Sequence, residues 1–147
     1  MTECIEPVDF YRDTGPFFQA AREGRLIYRF CRNCQRGFHV PGQYCRHCGS
    51  ADTEWRDARG TGTLYTWTTV MHAVHPGYAT PYTVVVVAID EAPDVRLVGN
   101  VAGEPSLAAG QRMTVWYQTL GDGAGRDRKS TRLNSSHSGE SRMPSSA

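Results

Sequence analysis

Apolar and polar positions change rhythm several times along the 147-residue chain. Phe17, Phe18, Ala20 and Ala21 follow Thr14-Gly15-Pro16, and this reads as a helix start. Proline at the first helical position gives up only an N–H that has no intrahelical partner. Gly24 stands where a left-handed residue ends a helix. The predicted helix has two to three turns, too short to be stable alone, so the two Phe are its expected contact with the rest of the fold. Leu26 to Phe30 and Phe38 to Val40 read as short strands, with Pro41-Gly42 a turn between them and Tyr44. Ser50 to Arg59 is polar except for Trp55, and Gly60 and Gly62 close it. A domain boundary is expected there.

Beyond Gly60 the rhythm becomes two. Thr63, Tyr65, Trp67, Thr69 and Met71 are predicted on one face of a strand, with Leu64, Thr66, Thr68 and Val70 on the other. Tyr82 to Ile89 is almost wholly apolar and β-branched, as in a strand covered on both faces. Val95 to Val101 is a third strand with Gly99 at a bend or bulge. Met113 to Leu120 is a fourth, and one helical turn fits between Gly103 and Gly110. Strands without long intervening helices suggest a small barrel, a closure that removes exposed edges.

The rhythm disappears after Gly125. Residues 126–147 are rich in Ser and Arg, nearly free of apolar side chains, and expected to be disordered. They also resemble the translation of sequencing-adapter or vector sequence, which would replace a native last strand. The expected organisation is therefore 1–25, an N-terminal segment with the short helix; 26–59, a metal-bound ribbon; 60–125, the barrel; and 126–147, the tail.

Charge changes this picture only by its layout. The formal net charge of +1 conceals eight Arg against four acids in residues 22–59, and five acids against two Arg in residues 60–125. Four thiolates around Zn²⁺ carry a net charge of minus two, which halves the ribbon's excess. A basic nucleic-acid-binding face is therefore not evident. No run of 18 apolar residues spans a membrane, and the acidic N-terminus does not read as a signal peptide. Five Cys, four of them in two close pairs, suggest metal binding in a reducing compartment, hence the cytoplasm.

Those pairs are Cys31-Arg32-Asn33-Cys34 and Cys45-Arg46-His47-Cys48, followed by Gly49. Two residues between thiols let both face one ion while the intervening N–H groups turn towards sulfur. Two such knuckles complete a tetrahedron with Zn–S near 2.3 Å. Iron takes the same four ligands, but zinc is favoured; a redox pair needs only one C-x-x-C before a helix. His39 and His47 are expected to support the site or lie at the surface rather than bind metal, and Cys4 to be a plain thiol. Four thiolates leave no open position, so the metal is structural. Its binding would supply on the order of 10 kcal/mol of folding free energy. On this reading Cys45→Ser unfolds the ribbon and leaves the barrel standing.

The run Phe17-Phe18-Gln19-Ala20-Ala21-Arg22-Glu23-Gly24-Arg25-Leu26 leads straight into the Cys pairs. Trp55, Gly60-Thr61-Gly62-Thr63-Leu64-Tyr65-Thr66-Trp67-Thr68, His75-Pro76-Gly77-Tyr78, Pro81-Tyr82, Arg96-Leu97-Val98-Gly99-Asn100 and Asp122-Gly123 follow in order. Together they resemble the zinc-ribbon and OB-fold proteins that accompany thiolases and related acyl-CoA enzymes, over roughly residues 10–125. The resemblance implies a mainly β fold: a short N-terminal helix, a rubredoxin-like zinc ribbon, and a five-stranded OB-fold barrel whose last strand the tail displaces. It further implies a non-catalytic partner of a thiolase-like enzyme or aldolase, helping to hold acyl-CoA.

The residues themselves show no nucleophile with an evident base, no phosphate loop and no paired carboxylates. His72 and His75 are expected to be loop residues. Tyr65, Trp67, Tyr78 and Tyr82 are the candidate ligand-binding residues, with one of Tyr65 and Trp67 in the core and the other at an interface. The alternative is a single-stranded nucleic-acid module, since OB folds bind through stacking aromatics, although the acidic barrel segment opposes it.

Overall fold

In the computed structural model, residues 11–73 and 79–117 are described, together with the backbone of short strands at 120–121, 127–128 and 134–136. The chain first forms α1 (Gly15–Arg22), with Pro16 in its first turn and Phe17, Ala20 and Ala21 buried. Gly24, at a φ of 74°, ends it. Its N–H donates to the Ala21 carbonyl (3.0 Å) and the Arg25 N–H to that of Ala20 (2.9 Å), so two of the helix's last carbonyls are satisfied.

The ribbon sheet has the order β2-β1-β3, with β1 at Leu26–Cys31, β2 at Arg36–Phe38 and β3 at Thr53–Ala58. Two expectations need correction. The second strand begins at Arg36, directly opposite Cys31, because the knuckle reverses the chain at once through Gln35 at a φ of 58°. It ends before Val40, which is two-thirds exposed. The polar stretch around Trp55 is a strand, paired with all of β1 from Leu26↔Ala58 to Cys31↔Thr53. Arg side chains hide its fit: the Arg56 guanidinium lies 3.3 Å from the centroid of the Phe30 ring, and that of Arg29 lies 5.1 Å from that of Trp55.

The second sheet has the order β10-β7-β4-β5-β6. It comprises β4 (Thr61–Val70), β5 (Tyr82–Ile89), β6 (Arg96–Ala102), β7 (Arg112–Trp116) and β10 (Asn134–Ser136); β8 (Leu120–Gly121) pairs with β9 (Asp127–Arg128). The two short strands at 127–128 and 134–136 fall in the segment expected to lack structure; the rest of that segment lies outside the described residues. Strand β4 pairs along its length with β5 and, through Thr61–Thr63, with β7. Strand β4 is thus the central strand of this antiparallel sheet, as expected for an OB-fold domain.

A bulge between Leu64 and Thr66 breaks the simple alternation along β4. Gly62 and Leu64 stand opposite Ile89 and Val87; beyond the bulge Trp67 and Thr69 stand opposite Val85 and Thr83. Thr83 and Val85 are fully buried, and Thr69 and Thr83 exchange a hydroxyl hydrogen bond of 3.2 Å. The inward set thus switches from even to odd positions, and Tyr65 and Trp67 do not share a face. On β5 the inward residues are mostly buried, and the outward ones, from Tyr82 to Ala88, are half-buried rather than covered. Gly99 makes no bulge, since the β5–β6 ladder runs unbroken through Val85↔Gly99. Residues 103–110 form no helical turn; Leu107 packs against the barrel core, and Leu64 and Gly110–Gln111 exchange backbone hydrogen bonds of 2.8 and 2.9 Å.

The largest buried cluster lies across the expected boundary. Phe17 and Ala20 from α1 and Leu26, Ile27, Tyr28 and Phe30 from β1 pack with Ile89, Ala92, Val95 and Leu97 of the barrel. The helix finds its support there through Phe17, with Phe18 partly buried at the edge. A second cluster holds Leu64, Val85 and Met113, and a third holds Cys31, Phe38 and Cys45.

Candidate metal centre

Cys31 closes β1, and Cys34 stands two residues before β2 begins, so the first pair caps a ladder whose register is fixed by Arg29↔Phe38 and Phe30↔Gly37. The second pair follows the loop at 40–44. There the Cys45 N–H donates to the Ser50 carbonyl and the Gly49 N–H to the Cys45 carbonyl, both at 2.8 Å. Gly49 takes a φ of 73°, a left-handed turn that glycine makes at little cost. All four sulfurs come together within 4.8 Å of one another.

The donor set fits a single tetrahedral ion. Cys31 and Cys48 Sγ are 3.6 Å apart, as are those of Cys34 and Cys45. A tetrahedron with Zn–S of about 2.3 Å has edges of about 3.8 Å. The knuckle amides turn as the spacing demands: the Cys34 N–H lies 3.5 Å from Cys31 Sγ, and the His47 N–H 3.4 Å from Cys45 Sγ. The Asn33 side-chain amide adds a donor 3.6 Å from Cys48 Sγ. Asn33 was not singled out from sequence, although its place inside the first knuckle was the available signal.

Burial, and then the neighbouring thiols, push Cys34 up to about 12. The Asn33 amide and the Ser50 backbone draw Cys48 down to about 6. Four thiolates this close are stable only around a cation, and a dication with four sulfur ligands has no position left for substrate.

His39 and His47 are not among the clustered donors. His47 places Nε2 3.2 Å from the Gly37 carbonyl oxygen. The half-buried His39 ring lies 5.5 Å from that of Phe17, and desolvation pushes its pKa down. His47 thus ties the second Cys pair to β2, and His39 ties the ribbon to α1. Cys4, His75 and Tyr78 lie outside the described residues.

The aromatic candidates are not brought to one platform. Tyr65 is half-exposed with the Arg96 guanidinium 3.8 Å from its ring centroid. Trp67, 38% exposed, belongs to the inward set opposite Val85. Tyr82 lies between Val70 and Ala102 at the far end of the ladder. The apolar cavity among Leu26, Val85, Leu97, Gly99 and Met113 measures only about 40 Å³. A small-molecule site takes roughly 300 Å³ or more, so this void is not the place for an acyl chain.

Two family models match successive parts of the chain and meet within β3. The family described as ChsH2, rubredoxin-like zinc ribbon domain, matches residues 18–54, and that described as ChsH2, C-terminal OB-fold domain, matches residues 55–118. A protein from Thermomonospora curvata named "Probable enoyl-CoA hydratase alpha subunit" is 39% identical over 92 residues, 63% of this chain and 28% of that one. The chain thus spans little more than a quarter of that relative's length. A solved structure titled Ltp2-ChsH2(DUF35) aldolase has a TM-score of 0.66 at 32% identity, covering 76% of this chain and 88% of that one. A DUF35-family protein of unknown function from Sulfolobus solfataricus shares the fold, with a TM-score of 0.53 at 17% identity over 68% of this chain and 74% of that one.

Proposed function

This chain belongs to the ChsH2 family of zinc-ribbon and OB-fold proteins, and from that premise we propose that it is a non-catalytic accessory subunit, docking on a thiolase-like acyl-CoA enzyme and helping to position acyl-CoA. In this reading one structural Zn²⁺ on Cys31, Cys34, Cys45 and Cys48 fixes the ribbon. The observation that carries it is the likeness of both domains together to a chain of an aldolase assembly, over 88% of that chain's length. The relative named as an enoyl-CoA hydratase subunit supports the same class of partner. The closed sulfur site supports a structural rather than a chemical role for the metal, and four unbonded thiols suit the cytoplasm. Among the described residues no helix is long and apolar enough to cross a membrane.

The nucleic-acid alternative loses its platform. Stacking needs aromatic faces side by side, whereas Tyr65 carries the Arg96 guanidinium over its ring and Trp67 stands on the opposite face of β4.

Co-expression with a thiolase-like acyl-CoA enzyme, followed by gel filtration and a turnover assay, tests the reading. A joint peak with higher acyl-CoA turnover than the enzyme alone is expected. Separate elution with unchanged turnover contradicts it.

A further inference from the structure

A hollow of about 300 Å³ opens beside β1 and β3, with no Cys in its lining. Arg12, Asp13, Arg29, Gln43, Tyr44 and Trp55 line it. Three separate parts of the chain therefore meet there: the turn before α1, the ribbon sheet, and the loop leading into the second Cys pair. Arg29 is its fixed element. It sits on the central strand opposite Trp55, with its guanidinium held over the Trp55 ring and one Nη2–H donated to the Thr53 hydroxyl. Among the described residues its buried Nε has no hydrogen-bond partner. Burial pushes its pKa down, while the Asp13 carboxylate pushes it up. A guanidinium locked between a strand and an indole has already lost much of its rotamer freedom, so a ligand that binds it pays little of that cost again. Arg12 adds a second guanidinium from a different segment, and Asp13 leaves the hollow one positive charge in excess.

We propose that this hollow binds a phosphate group, with Arg29 as the anchor and Arg12 at the rim. A planar carboxylate is saturated by a single arginine fork, whereas a tetrahedral oxyanion accepts donors from several directions. Two guanidinia, with Gln43 and Tyr44 beside them in the lining, offer donors of this kind. The phosphate arrives either as the free ion or on a nucleotide-bearing ligand such as a CoA thioester. The second source deepens the accessory role and rests on that reading.

Calorimetric titration of the zinc-loaded full chain tests it, with inorganic phosphate in one arm and adenosine 3′,5′-bisphosphate in the other. Saturable binding is expected, weakened about tenfold or more by Arg29→Gln and less by Arg12→Gln. Tighter binding of the bisphosphate, with displacement by phosphate, identifies a nucleotide carrier; equal affinities identify the free ion. No saturable binding of either, or the same affinity in both variants as in the wild type, overturns the proposal. Should Arg29→Gln fail to fold, Arg29→Lys keeps the charge without the fork; weaker binding supports the site and unchanged binding overturns it. No partner enzyme enters this assay, so its failure is distinct from failure of the docking reading.

Discussion

Gly37 of the ribbon lies so close to Val95 of the barrel that a Cβ on it would stand 2.8 Å from Val95 Cγ2, and equally near Ala92 Cβ. The edge strand of one sheet is thus pressed against the segment before β6 of the other, and only the lack of a side chain permits it. Arg36, its neighbour on β2, reinforces the seam with two bonds to Asp94, at 2.8 and 2.9 Å.

Gly37→Ala is therefore expected to destabilise the whole chain. Overpacking of a tight contact costs about 1–3 kcal/mol. Urea unfolding followed by far-ultraviolet circular dichroism should show a lower midpoint with an unchanged slope. A midpoint equal to the wild type's would mean that the two sheets are not in contact in solution.

Metal removal should reach the barrel through the same seam. Leu26, Tyr28 and Phe30 of β1 belong to one buried cluster with Ile89, Val95 and Leu97. The sequence suggests that loss of a ligand is confined to the ribbon; the shared cluster makes it a loss for both. Thermal melts in excess chelator, or of Cys45→Ser, should shift the barrel's transition downward together with the ribbon's. A barrel transition at the wild-type temperature would restore the two-domain view.

Asp90 gives the fold an acid-sensitive tie. Its carboxylate accepts two Arg112 N–H bonds at 2.7 Å and the Thr61 hydroxyl at 2.6 Å, and these donors hold its pKa well below the usual range. A carboxyl with a depressed folded pKa stabilises the fold above its unfolded value, about 3.9. That contribution is lost as pH falls through the unfolded value towards the folded one. The Tm gap between wild type and Asp90→Asn should be full above about pH 5 and shrink below about pH 4. Comparing the two chains at each pH cancels the acid release of metal that both undergo. A gap constant down to acid pH would contradict the assignment.

The helix with its Gly24 stop, the four ligand candidates and three of the barrel strands were legible in the sequence, because Pro, Gly and paired Cys impose local geometry whatever surrounds them. Strand β3 was not. Its Glu54, Arg56 and Asp57 read as loop, and its pairing with β1 comes from a partner some thirty residues away whose rings accept arginine stems. The split of Tyr65 and Trp67 was hidden for a different reason. A bulge adds one residue without changing composition, so a period-two pattern continues in the sequence after the structure has changed face. The hollow around Arg29 gave no sequence signal either, since Arg12, Arg29 and Tyr44 converge only through the ribbon's fold.

The metal content of the purified chain tests the account most directly. Elemental analysis, paired with thiol titration before and after chelation, should find one zinc per chain, no visible absorption of an iron–thiolate site, and four thiols released with the metal. Protein that holds no stoichiometric metal and keeps its fold in strong chelator would contradict the ribbon, and with it the docking role built upon it.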